Sequence, residues 1–127
     1  MPNVRALVLE DSRSVRTIIR TILSELGCEV VEAANGREGF EQLEAHGPFA
    51  VALVDWNMPE VDGLTFVRQV RADPRFAALR LMMVTTEIER SQVVSALAAG
   101  ADEYLMKPFT PEMVAEKLAI LGIEVVT

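Results

Sequence analysis

The sequence predicts an α/β protein built on one doubly wound parallel sheet of five strands, and three observations carry that expectation. Short apolar, β-branched runs alternate with stretches whose apolar residues recur at helical spacing. The run Phe49 to Val54 (FAVALV) has no polar alternation, as expected of a central strand covered on both faces. At 127 residues, with no linker, charge run or shift of composition along it, the chain fits one domain.

Each element has its own signal. Val4 to Leu9 reads as the first strand, and Val15, Ile18, Ile19, Ile22, Leu23 and Leu26 as one stripe of a helix that Gly27 stops. Glu29 to Ala33 suggests the second strand. Asn35 caps a second helix, with Phe40 and Leu43 on its buried side and His46 as a cation in its last turn before Gly47. Phe49 to Val54 is the third strand, and Leu64, Phe66, Val67 and Val70 mark a helix after Gly63. Leu79 to Val84 is the fourth strand. Val93, Val94, Leu97 and Ala98 mark a helix closed by Gly100. Glu103 to Met106 is a short fifth strand, and after Pro108 the segment Pro111 to Leu121 carries Met113, Val114, Leu118 and Leu121 as one stripe. Right-handed crossovers then give a flavodoxin-like (βα)5 sheet, whose ligands bind at the carboxyl ends of the strands.

Composition narrows the function. Twelve basic against nineteen acidic residues leave a net charge of -7, which disfavours direct binding to nucleic acid phosphates or anionic membranes. The longest uninterrupted apolar run is six residues, far short of the roughly 18 of a membrane span, and the amino terminus lacks a secretory signal. A cytoplasmic protein is expected. Its single cysteine, Cys28, makes no internal disulfide, and its single histidine, His46, supplies no multi-histidine metal site.

The strand ends carry the chemistry. The first strand runs into Glu10-Asp11, the third into Asp55, the fourth into Thr85-Thr86 and the fifth into Lys107-Pro108. Acids converging on one cleft repel by on the order of 4 kcal/mol per close pair at an effective dielectric of about 20, so a cation is expected among them. Oxygen ligands without His or Cys suit a hard ion, and a few carboxylates completed by water and phosphate suit Mg²⁺. Beside such an ion Asp55, directly after the most apolar strand, is the candidate nucleophile toward phosphorus. Lys107 would neutralise charge on the transferring group, and the Thr85 hydroxyl would donate to one of its oxygens. Any one of these residues alone reads more simply as a turn, cap or surface group, but caps place no demand for a lysine opposite three acids.

Together, Glu10-Asp11, Asp55-Trp-Asn-Met-Pro59 with Asp62-Gly63, Thr85-Thr86 and Lys107-Pro108-Phe109 resemble the receiver domain of two-component response regulators over the whole chain. Spacing is closest to the stand-alone chemotaxis-type regulators, in which the receiver is the entire protein, here residues 1–127. The resemblance implies a phosphoacceptor at Asp55 and Mg²⁺ held by Glu10, Asp11 and Asp55 with the backbone carbonyl of Asn57. It implies Lys107 as a phosphoryl ligand, Thr85 and Tyr104 as the switch, and Asn57 and Glu87 as residues tuning dephosphorylation. It further implies a cis Lys107-Pro108 bond and a partner surface on the fourth helix, fifth strand and fifth helix, with Ile88, Val93, Tyr104 and Lys117. The implied donor is a sensor histidine kinase or histidine phosphotransfer protein, and the unphosphorylated protein is expected to be a monomer. The family often has aspartate where Glu10 stands; altered Mg²⁺ affinity is expected.

Three other functions are weaker. An aspartyl-phosphate hydrolase commonly has a general acid two residues after its nucleophile, where Asn57 stands and cannot exchange a proton near neutral pH. A flavin or nucleotide module would meet an acidic first turn, with neither GxGxxG nor GxxxxGK[ST] present. An interaction module without phosphoryl chemistry gains nothing from clustered buried charge.

Overall fold

A computed structural model of the chain describes residues 4–56, 58, 61–86 and 90–125, apart from the side chains of Arg90 and Ser91. Five strands, β1 (Arg5–Leu9), β2 (Glu29–Ala33), β3 (Val51–Asp55), β4 (Arg80–Thr86) and β5 (Glu103–Lys107), pair in parallel in the order β2-β1-β3-β4-β5. They alternate with α1 (Arg13–Glu25), α2 (Gly36–His46), α3 (Gly63–Arg71), α4 (Arg90–Ala99) and α5 (Pro111–Ile120). The predicted doubly wound sheet is therefore the one observed.

Alternation along the strands divides the core in two. Val8, Leu53, Met82, Val84 and Leu105 face α1 and α5, where Ile19, Leu23, Val114 and Leu118 meet them. Leu7, Leu9, Val54, Leu81 and Met83 face the other way, against Leu43, Phe66, Val67 and Ala96 of α2, α3 and α4. Every residue of β3 is buried, as its unbroken apolar run requires.

Among the described residues, four helices begin at the carboxyl edge of the sheet with a side-chain cap. Ser12, Asn35, Asp62 and Thr110 accept from the backbone N–H of Val15, Glu38, Thr65 and Met113. Each cap is worth about 1 kcal/mol and sets where its loop turns. At the other end of α1, Gly27 takes φ 89°, a left-handed stop that other residues rarely adopt.

Some expectations shift. β3 and β4 run one or two residues further than the apolar runs suggest, so Asp55, Thr85 and Thr86 are themselves strand residues, as is Lys107. Ile18 is 55% exposed, and in α4 Val94 is 70% and Leu97 41% exposed while Val93 and Ala96 are buried. The apolar stripes are broader than the faces they bury. A 3-10 turn at Pro74–Phe76, capped by Asp73, was not foreseen in the sequence. Lys107-Pro108 is cis, as the resemblance implies, and so is Gly47-Pro48.

Candidate functional site

At the carboxyl edge, β1, β3 and β5 deliver two acids and a lysine to one point. The Lys107 Nζ lies 3.2 Å from Glu10 Oε1 and 3.2 Å from Asp55 Oδ1. Strand geometry puts them there: Asp55 pairs with Val84 and Lys107 with Thr86, while the Glu10 N–H donates to Ala33 O at 3.1 Å and so extends β1. Glu10 and Asp55 are buried, at 1% and 6% exposure, whereas Asp11 stands exposed at the mouth. One carboxylate oxygen from each of Glu10, Asp11 and Asp55 falls within 4.8 Å of the others.

This concentration of acids is electrostatically unbalanced. Burial, joined by a hydrogen bond and repulsion from Asp55, raises the Glu10 carboxyl from 4.5 to about 7, with Lys107 opposing the rise. Burial would lower the Lys107 ammonium, but attraction to Asp55 and Glu10 outweighs it and the group is held above its usual value. One ammonium faces more negative charge than it can neutralise. An oxygen-only donor set of this kind fits a hard divalent cation such as Mg²⁺ better than a softer metal.

Thr85 and Tyr104 come to the same face of the sheet. Tyr104 pairs with Met83, two residues before Thr85, and residues two apart on a strand share a face. The buried Thr85 hydroxyl is turned onto Thr86 O at 3.4 Å. Tyr104 packs against the α2-α3-α4 side of the core with the Lys117 Nζ 4.4 Å from its ring centroid. Lys117 also donates to Glu103 Oε1 at 3.0 Å. Val93, expected on the partner surface, is instead buried, because α4 turns Val94 and Leu97 outward. Asn57, Glu87 and Ile88 lie outside the described residues.

The sequence sets a helix after Gly63 and gives no reason why a glycine should follow the cap. A Cβ on Gly63 would stand 2.5 Å from the Asp55 carbonyl oxygen and 3.1 Å from Trp56 Cα. The Gly63 N–H donates to Trp56 O, so α3 begins pressed against the backbone that carries Asp55. A glycine at the first helical position, where an ordinary helix former would serve, was the available signal.

Residues 6–119 match the response regulator receiver domain family. The chain belongs to it. It is 45% identical over 119 residues to the chemotaxis protein CheY1 of Helicobacter pylori, covering 93% of this chain and 96% of that one. It is 41% identical over 121 residues to a chemotaxis protein CheY homolog of Campylobacter jejuni, covering 94% and 93%. Among solved structures, CheY4 of Vibrio cholerae superposes with a TM-score of 0.87 at 32% identity, over 94% of this chain and 99% of that one. The chain is thus similar over nearly its whole length to chemotaxis-type receivers, and its family implies phosphorylation-dependent signalling in a two-component system. Receivers of this type accept phosphate from histidine kinases and act on downstream targets, generally using Mg²⁺ at an acidic pocket, and Glu10, Asp11 and Asp55 form such a group.

Proposed function

We propose that this receiver, residues 1–127 acting as one domain, is a switch that takes a phosphoryl group onto Asp55 and changes its α4-β5-α5 surface to control a partner protein. The observation that carries the reading is the bridge of Lys107 to both Glu10 and Asp55 at the strand ends, with Asp11 beside them. A carboxylate oxygen of Asp55 attacks phosphorus of a phosphohistidine on a sensor kinase or phosphotransfer protein. The P–O bond forms as the P–N bond breaks, and the departing imidazole takes up a proton from solvent. Lys107 donates to a phosphoryl oxygen and offsets its charge. Glu10, Asp11 and Asp55, with the Asn57 carbonyl that the resemblance implies, would hold Mg²⁺, which would supply further charge neutralisation.

The switch follows from differential contacts. Thr85 exchanges its weak bond to the Thr86 carbonyl for a phosphoryl oxygen, and Tyr104, on the same face, repacks as that hydroxyl leaves. Ile88, Tyr104 and Lys117 belong to the responding surface, with the exposed Val94 and Leu97 of α4 in the place expected of Val93. Asn57 and Glu87 govern access of the water that hydrolyses the aspartyl phosphate, so the protein catalyses its own phosphorylation and dephosphorylation and no other reaction. We place it in the cytoplasm, in keeping with its chemotaxis relatives, and take it to be a monomer when unphosphorylated; among the described residues no helix is long and apolar enough to cross a membrane.

The test is intact-mass spectrometry after incubation with Mg²⁺ and acetyl phosphate. A single phosphoryl adduct that disappears with EDTA and in Asp55→Asn is expected. An adduct that persists in Asp55→Asn would overturn the assignment.

A further inference from the structure

The acidic turn between β1 and α1 is held by a side chain of the helix that follows it. Arg16, in the second turn of α1, donates from Nη1 to the Glu10 backbone carbonyl at 2.7 Å. Its Nε donates to Glu32 Oε1 at 3.0 Å on β2, and Arg20 holds the other Glu32 oxygen at 3.2 Å. Glu32 thereby fixes the guanidinium plane, and the guanidinium fixes the Glu10 peptide. The Arg16 side chain is only 19% exposed, so these are shielded, charge-assisted bonds.

The turn closes on itself around Asp11. Behind it, the Glu10 carbonyl is taken by Arg16; ahead of it, the Arg16 N–H donates to Ser12 O at 2.9 Å and the Ser12 N–H to Glu10 Oε2 at 3.3 Å. Both peptides flanking Asp11 are pinned. Asp11 itself is exposed, so the backbone decides where its carboxylate stands relative to Glu10 and Asp55.

We propose that Arg16 is a positioning residue for the metal site: with Glu32 it clamps the Glu10–Ser12 turn so that Asp11 meets Glu10 and Asp55 at cation-binding separation. This rests on the Mg²⁺ reading above and adds to it a residue that reaches the ligand Glu10 only at its backbone carbonyl. Outer partners of metal ligands commonly contribute about tenfold or more to affinity. Lysine is no substitute, because a single ammonium cannot serve the carbonyl and Glu32 through a planar fork.

Mg²⁺ titration followed by the fluorescence of Trp56, next to Asp55, tests this on wild type, Arg16→Ala, Arg16→Lys and Glu32→Gln, with melting of each metal-free protein as a folding control. Arg16→Ala is expected to weaken Mg²⁺ about tenfold. Arg16→Lys and Glu32→Gln should fall between it and wild type, and keep the test decisive should Arg16→Ala not fold. In metal-free wild type the Arg16 Nε–H is expected as a slowly exchanging NMR signal that Glu32→Gln makes fast. Wild-type affinity in the folded variants would overturn the clamp while leaving the Mg²⁺ reading intact. No Mg²⁺ response in wild type would overturn that reading, and the clamp's role with it.

Discussion

Two basic side chains, Arg71 at the amino edge of the sheet and Lys107 at the carboxyl edge, are almost equally shielded, at 21% and 26% exposure, yet do opposite things. Arg71 ends α3 and spends its guanidinium on backbone: Nε to Gly100 O at 2.9 Å, Nη1 to Phe76 O at 3.2 Å and Nη2 to Leu79 O at 2.7 Å. Its Nη2 also meets Asp102 Oδ2 at 2.8 Å, and that oxygen accepts the Leu81 N–H at 2.8 Å. Donors and acceptors there are matched, and the network ties α3, α4, β4 and β5 together. Lys107 offers one ammonium to two buried carboxylates with a third nearby. The difference teaches how to tell a fastener from a reactive site built of the same residue types. Polar groups in a fastener satisfy one another, while those at the candidate site are left wanting a further cation.

The largest effect is expected at the fastener. Arg71→Ala strips donors from three backbone carbonyls and leaves Asp102 without its close partner, for an expected loss of about 3 kcal/mol in urea unfolding. Folded Arg71→Ala should still take the acetyl phosphate adduct on Asp55 at the wild-type rate. A parallel fall in adduct formation would mean that the two edges are not separable.

A middle-sized effect is expected where backbone and site meet. Gly63→Ala drives a methyl against the Asp55 carbonyl, costing about 2 kcal/mol of stability. Because the clash is with the strand that carries Asp55, phosphorylation should slow as well, which separates this variant from Arg71→Ala in a single rate measurement.

A further effect is expected through pH. Glu10 faces Asp55 and Lys107, and its folded-state value of about 7 lies above the ordinary 4.5. Between those two values the folded protein binds more protons than the unfolded chain, so metal-free stability falls as pH rises from about 4.5 through about 7. Glu10→Gln removes the titrating group, and thermal melts across that range should show a flatter profile. An equal slope in both proteins would assign the dependence elsewhere.

Much of the fold was legible because each signal is local. The run at 49–54 announced a doubly covered strand, Asn35 and Gly27 announced a cap and a stop, and each did what its chemistry dictates. The acids and lysine at the strand ends were legible for the same reason, since an α/β sheet sends those positions to one edge. What misled was breadth: Ile18, Val94 and Leu97 fit the helical period yet face outward, because the helix period marks a side while the neighbouring helix decides how much of it is covered.

The element order, the parallel sheet and the identity of the groups brought to its carboxyl edge are written along the chain, since periodicity, capping and residue type are properties of short stretches of it. That Val93 is buried, that Gly63 leaves room for the Asp55 carbonyl, and that Arg16 closes the acidic turn through Glu32 emerge only on packing. Those facts depend on atoms from distant segments meeting within a few ångströms, and on burial that turns nearby charges into a shifted titration at Glu10, neither of which a one-dimensional pattern carries.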